Sequence, residues 1–119
     1  MTENEKKKFL EDLQNHHCTS GYYRYMTIMI TDGVKFLCEK AECFWFADII
    51  ASHQFNPLVK SEDFQVYTLK VNPDQTALIT IDNGNGKVLE TQEITYTDFP
   101  LESMIVWCIG KVALLPHEY

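Results

Sequence analysis

The hydrophobic period of this chain changes once, at Asn56-Pro57, and that change constrains the fold more than any single residue does. Before it, apolar residues recur three and four positions apart, the spacing of one helix face. After it they recur at every second position, the spacing of one strand face. One chain with both periods in separate halves predicts an α+β fold. N-terminal helices should pack on one face of a C-terminal antiparallel β-sheet, a meander of three or more strands. At 119 residues this is one domain, 1–119. Its expected parts are an N-terminal helix over 2–15, a helical region over 33–54 and a mainly antiparallel sheet over 64–115.

The first helix carries its own start signal. Thr2 can cap it and Glu5 completes a capping box, while Phe9, Leu10 and Leu13 form a narrow apolar stripe. Tyr22 to Thr31 is β-branched and aromatic without a break, which fits a strand and a buried helix alike. Thr31 or Asp32 can cap a helix over 33–41, on which Val34, Leu37, Cys38 and Ala41 share a face. Residues 41–54 are the most apolar stretch and predict a helix buried on most of its circumference. Asp48 is the odd residue in its middle, since a buried carboxylate needs a partner; the plain alternative is a narrow exposed stripe.

Beyond Pro57, residues 64–71, 76–82 and 87–96 read as strands. Asn72-Pro73-Asp74 is a turn, and Asp82 to Gly86 (Asp-Asn-Gly-Asn-Gly) is a hairpin signal. The same loop fails as a calcium loop, because Ile81 and Gln92 fall where the first and last acidic ligands belong. Tyr96 to Leu101 is a second turn. Met104 to Leu115, interrupted by Gly110-Lys111, predicts a final short hairpin or a helix-to-strand piece. Of the two sheet faces, one must pack on the helices, and the other is expected to be wet and acidic.

The formal charge is −7, from 10 basic and 17 acidic side chains. Residues 1–61 hold seven basic and eight acidic groups; residues 62–119 hold Lys70, Lys87 and Lys111 against nine acidic groups. A binder of nucleic acid needs cations facing phosphates, so direct nucleic-acid binding is not expected. No apolar run reaches the ~18 residues of a membrane span. The polar N-terminus, Met-Thr-Glu-Asn-Glu-Lys-Lys-Lys, predicts a cytoplasmic protein. Reduced cysteines follow from that compartment. Cys38, Cys43 and Cys108 sit among apolar residues, where a free thiol behaves as a small hydrophobe. His16, His17 and Cys18 form the one cluster resembling metal ligands, without the second pair a zinc site needs. No cofactor is expected.

Three blocks then belong together. They are Tyr23-Arg24-Tyr25 with Thr31-Asp32-Gly33-Val34-Lys35-Phe36-Leu37, then Ala47 to Gln54 with Phe64 to Leu69, then Tyr96 to Leu101 with the ending Leu114 to Tyr119. In this order they resemble a small single-domain family of bacteria, phages and plasmids, catalogued as a domain of unknown function. The resemblance runs from Tyr22 to Tyr119. It implies a fold unit and assigns no catalytic residue. It also implies His in place of Tyr25, and non-thiol residues in place of the three later cysteines, which argues against a metal or redox role for them. The shared polar positions Asp32, Asp48, Gln54, Asp98 and Glu118 are the first to examine, with turns, caps and a chain-end salt bridge as their plain explanations.

Three functions compete. The first is a non-enzymatic acidic interaction protein of a phage or other mobile element. It would inhibit a host defence or nucleic-acid-processing protein by covering its basic surface. Asp32, Asp48, Asp98, Glu90, Glu93 and Glu102 are its candidate contacts, with Tyr23, Tyr25 and Trp45, and it requires carboxylates gathered on one face. A sheet edge could also make a homodimer. The second is a module for a small, nucleotide-like ligand, with Tyr22, Tyr23, Tyr25, Trp45 and Trp107 lining a pocket over Asp48. The third is an enzyme pairing Asp48 or Asp98 with a histidine, although no spacing in the chain demands one.

Overall fold

The computed structural model describes residues 1–15 and 21–119. His16, His17 and Cys18 lie outside the described residues. Helix α1 (Glu3–Gln14) starts at the foreseen capping box: Thr2 Oγ1 accepts from the Glu5 amide at 3.1 Å, and the Glu5 carboxylate accepts from the Thr2 amide at 3.2 Å. Phe9 and Leu13 are buried, whereas Leu10 is exposed.

The ambiguous segment after it is a hairpin, β1 (Tyr22–Tyr25) and β2 (Ile28–Thr31), turning at Met26 with φ 54°. Helix α2 (Asp32–Lys40) follows with Thr31 as its cap, and α3 (Phe44–His53) follows after a reversal at Glu42, φ 51°. The expected region over 33–54 is therefore two helices. A short α4 (Pro57–Lys60) was not foreseen; Asn56 caps it and Pro57 opens it, the place where proline suits a helix.

Strands β3 (Phe64–Val71), β4 (Ala77–Asp82), β5 (Val88–Ile94), β6 (Ser103–Ile109) and β7 (Val112–Leu114) complete the set before a closing 3-10 turn, Pro116–Glu118. The β4–β5 loop is the hairpin its glycines promised. Asp82 Oδ1 accepts from the Gly84 amide at 2.7 Å and Asn83 Oδ1 from the Asn85 amide at 2.9 Å, so these side chains shape the turn.

The seven strands form one sheet in the order β1-β2-β7-β6-β3-β4-β5. The fold class is α+β, with two departures from expectation. The first half contributes two strands, and β2 joins β7 in parallel (Met29 with Val112, Ile30 with Ala113). Ile28 and Ile30 are buried on the helix side and Met29 is half-buried on the other, so β2 is apolar on both faces and the run at 22–31 shows no period of two.

Tyr67, Leu69, Ile79, Ile81, Val106 and Ala113 point to the helices and are almost fully buried with Phe46, Ile50 and Leu37. Helix α3 contacts both outer strands: Asp48 accepts from Tyr25 of β1, and His53 Nε2 meets Gln92 Oε1 of β5 at 2.9 Å. Six inter-strand gaps span roughly 29 Å. Ten helical residues span about 15 Å. The sheet must therefore curl around α3.

A polar network of Gln54, Gln65 and the Tyr67 hydroxyl lies inside this core. Gln54 Nε2 reaches Gln65 Oε1 at 2.8 Å and the Tyr67 hydroxyl at 3.0 Å, and Tyr67 donates to Gln65 Oε1 at 2.7 Å. Gln65 in turn donates to the Val59 and Glu62 carbonyls at 3.1 and 3.0 Å. Burial pushes the Tyr67 phenol well above its ordinary range. The network fixes the end of α3 and the α4 turn to β3, with its polar atoms satisfied.

A second anchor joins distant parts of the chain. Glu118 Oε1 accepts from Thr31 Oγ1 at 2.6 Å and from the Leu115 amide at 2.8 Å, while Oε2 accepts from the Gly33 amide at 3.1 Å. A carboxylate thus sits on the N-terminus of α2, where backbone donors and the helix dipole favour negative charge. Gly33 permits the approach, because a Cβ there would lie 2.7 Å from both the Glu118 carboxyl carbon and Leu115 Cδ1. Replacing Gly33 by Ala is expected to lower stability by about 1–3 kcal/mol in urea unfolding, although Ala is the better helix former. An unchanged or raised midpoint would show that the contact is loose.

Candidate interaction surface

Four of the nine candidate residues meet at the β1 edge of the sheet. Tyr23 and Tyr25 are two apart on β1 and point to the helix side. The Tyr25 phenol donates to Asp48 Oδ1, and its ring stacks on Phe44 at 5.6 Å. Lys35 Nζ lies 4.3 Å over the Tyr23 ring, a cation–π contact. Asp32 completes the group: a Cβ on Gly21 would be 3.5 Å from its Oδ1 and 3.7 Å from the Tyr23 hydroxyl. Asp48 is exposed with Phe44 and Ser52 on the one open stripe of α3, which settles its odd position in an apolar helix.

Lys35 and Phe44 belong to this surface and were missed. Lys35 lies three residues after Asp32 on the same helix face, a signal that was present. Phe44 gave none, because it reads as one more apolar residue in an apolar run.

Tyr23 (41% exposed) and Phe44 (36%) lie on the helix side of this edge, Tyr22 (57%) on the opposite side of the strand, and Met26 (59%) at the turn. Among the described residues, no strand pairs with the outer side of β1.

The other candidates lie elsewhere. Glu90 and Glu93 are on β5, the opposite edge; Asn56 Nδ2 approaches Glu90 Oε2 at 3.4 Å, and Glu93 is exposed across from Leu78. Asp98 lines a shallow groove of about 220 Å³ with Lys40, Glu42 and Pro100. Glu102 lines an open groove of about 670 Å³ with Lys6, Lys70, Phe99 and Leu101. Trp45 is half-buried against Phe46, ring centroids 5.9 Å apart. Trp107 is on the far side of the sheet from Tyr23 and Tyr25, so the five aromatics do not line one pocket.

Carboxylates of the second half are likewise dispersed. Glu62 and Asp63 flank Lys111, Asp74 accepts from Thr76 in the β3–β4 turn, and Glu118 caps α2. This corrects the expectation of an acidic outer sheet face. Acidic residues serve turns, caps and edges in several places, which a count along the sequence cannot reveal.

Among the described residues, neither His53 nor His117 is hydrogen-bonded to Asp48. His53 is five residues on, about 140° around the helix. Its Nδ1 meets Asn56 Nδ2 at 3.3 Å, on the β5 side. Cys38, Cys43 and Cys108 are buried and free. Burial pushes the Cys108 thiol up to about 12, and the contact with Cys38 together with burial raises Cys43, which keeps both as thiols. Among the described residues, no three His, Cys, Asp or Glu side chains group as metal ligands. No helix of the described residues is long and apolar enough to cross a membrane.

A family model described as a family of unknown function, DUF6876, matches residues 7–119. The chain belongs to the DUF6876 family. That match covers α1 from Lys7 onward as well as the blocks from Tyr22 onward that carried the resemblance. No curated protein and no solved structure matches the chain at a significant level.

The Tyr25–Asp48 contact has a titration signature. Partial burial first, then the hydrogen bond and charge of Asp48, push the Tyr25 phenol up to about 12. Between about pH 10 and 12 the unfolded chain loses this proton while the folded chain keeps it, so stability should fall across that window. Ultraviolet titration, with Tyr25→Phe as the difference reference, should show the phenol ionising earlier in Asp48→Asn. An unchanged titration would mean that Asp48 does not hold Tyr25 in solution.

Proposed function

We propose that this DUF6876 member is a non-enzymatic interaction protein that docks a protein partner along the β1 edge. The observation that carries the reading is the exposed Tyr22-Tyr23-Arg24-Tyr25 strand with its outer backbone side unpaired among the described residues. Tyr and Arg dominate the energetics of protein interfaces, because they bring large contact areas and polar tips together. An edge strand offers a ladder of backbone donors and acceptors to an extended segment. Tyr23 and Tyr25 are already held by Lys35, Phe44 and Asp48, so little rotamer entropy is lost on binding.

Charge sets the partner's character. With a net −7, the chain steers a basic partner toward itself, an effect on association rate that fades with salt. Dispersal of the carboxylates assigns them this steering role and leaves the contact to the tyrosines. Inhibition of a host defence or nucleic-acid-processing protein by a phage or other mobile element is a specific form of this reading. It requires carboxylates gathered on one face, so their dispersal counts against it, and its remaining support is the resemblance to a family of such elements.

Affinity capture from lysate of the encoding cells, at low and moderate salt, tests the reading. The wild-type chain should retain a basic protein whose recovery drops with salt. Tyr22→Ala/Tyr23→Ala, folded by circular dichroism, should retain at least tenfold less. Equal capture by both chains would remove the β1 edge from the account.

A further inference from the structure

We infer that Asn85 is a site of spontaneous deamidation and that the fold protects its neighbour Asn83 from the same reaction. Of the six asparagines in the chain, Asn83 and Asn85 precede glycine. The following residue's backbone nitrogen attacks the asparagine side-chain carbonyl, and glycine leaves that nitrogen uncrowded. Asn56 and Asn72 precede proline, whose nitrogen has no proton to lose. Asn4 and Asn15 precede Glu5 and His16, whose side chains hinder the approach.

Asn83-Gly84 and Asn85-Gly86 are the same dipeptide, yet the β4–β5 loop treats them differently. The Gly84 amide, which is the nucleophile toward Asn83, donates to Asp82 Oδ1 at 2.7 Å. Attack requires that amide to give up its proton. A carboxylate holding the N–H opposes this, because one negative charge disfavours another beside it. Asn83 Oδ1 accepts from the Asn85 amide at 2.9 Å and from the Lys87 amide at 3.3 Å, so ring closure would cost these bonds as well. Gly84 also packs against the Phe64 ring, where a Cβ would lie 2.8 Å from Cε1.

Asn85 has none of these restraints. It and Gly86 are exposed. Among the described residues, neither the Asn85 side-chain amide nor the Gly86 N–H has a hydrogen-bond partner. A Cβ on Gly86 would meet nothing within 4 Å. Nucleophile and carbonyl are free to turn toward each other, and water reaches both.

Water is the one co-reactant. The Gly86 nitrogen loses its proton and bonds to Asn85 Cγ, the Cγ–Nδ2 bond breaks, and ammonia leaves with that proton. Water then opens the five-membered imide at either carbonyl. One opening gives aspartate; the other gives isoaspartate, in which the main chain runs through the side-chain carbon. Either product adds one negative charge to the −7 of the chain, just before β5. Strands β5 and β1 are opposite edges of the sheet, so this inference is independent of the docking proposal.

Peptide mass mapping of the whole chain tests it, after ageing at mildly alkaline pH in buffer and in concentrated urea. In buffer Asn85 should convert at least fivefold faster than Asn83. In urea the two rates should come within twofold of each other, since the loop's restraints are gone. Asp82→Ala, shown folded by circular dichroism, should speed Asn83 at least threefold and leave Asn85 within twofold; if it unfolds, the wild-type comparison decides alone. Equal rates in the folded wild-type chain overturn the inference. So does a folded chain in which neither residue converts while the unfolded chain does, and so does a preference for Asn85 that persists in urea. An Asp82→Ala chain that folds and keeps Asn83 slow overturns the protection assigned to Asp82.

Discussion

The carboxylate of Glu118 holds the fold together at the point where its topology is least local. β2 and β7 are parallel neighbours, so whatever follows each strand emerges side by side. After β2 comes α2, with its backbone N–H groups open; after β7 comes the closing turn that carries Glu118. A charge so placed makes strong hydrogen bonds to the Thr31 hydroxyl and the Gly33 and Leu115 amides, and it complements the helix dipole. His117 adds a contact from the same turn to the Leu13 carbonyl at 2.7 Å, tying in the end of α1. Two sequence blocks at opposite ends of the chain, Thr31 to Val34 and Pro116 to Tyr119, are therefore one structural unit.

From this anchor the rest follows. Fixing α2 against the sheet fixes the reversal at Glu42 and the line of α3. That helix then touches β1 through Asp48 and β5 through His53, and the sheet curls around it. Curling leaves the helix side dry and well satisfied, with the Gln54–Gln65–Tyr67 network as its polar interior. It also turns β1 and the outer face toward the surroundings as two distinct surfaces. The first is aromatic and preorganised; the second mixes apolar side chains such as Ile105, Trp107 and Val66 with polar ones such as Thr68, Thr80 and Lys70.

Much of this was legible in the sequence. The period change gave the two layers, the capping box gave α1, and Asn-Gly pairs gave the β4–β5 hairpin, because these signals are local. The parallel join of β2 to β7 was not legible, since nothing local reports which strand a segment will lie beside. For the same reason Glu118 read as an ordinary chain-end carboxylate. Asp48 and Tyr25 were singled out separately, one for polarity in an apolar helix and one within an aromatic run; only the fold shows that they touch. Acidic residues misled in the opposite sense. Their excess after residue 62 suggested one acidic face, while the fold assigns them to turns, caps and separate edges.

Because the Glu118 cap is the constraint on which α2, and through it both surfaces, depends, a double-mutant cycle addresses the account most directly. Thr31→Ala, Glu118→Ala and the pair would be unfolded in urea alongside the wild-type chain. The account predicts that the pair costs about 1–2 kcal/mol less than the sum of the single changes, since each removes the other's partner. Costs that add to within about 0.5 kcal/mol would show that the two ends of the chain are not coupled through this carboxylate, and would contradict the account at its centre.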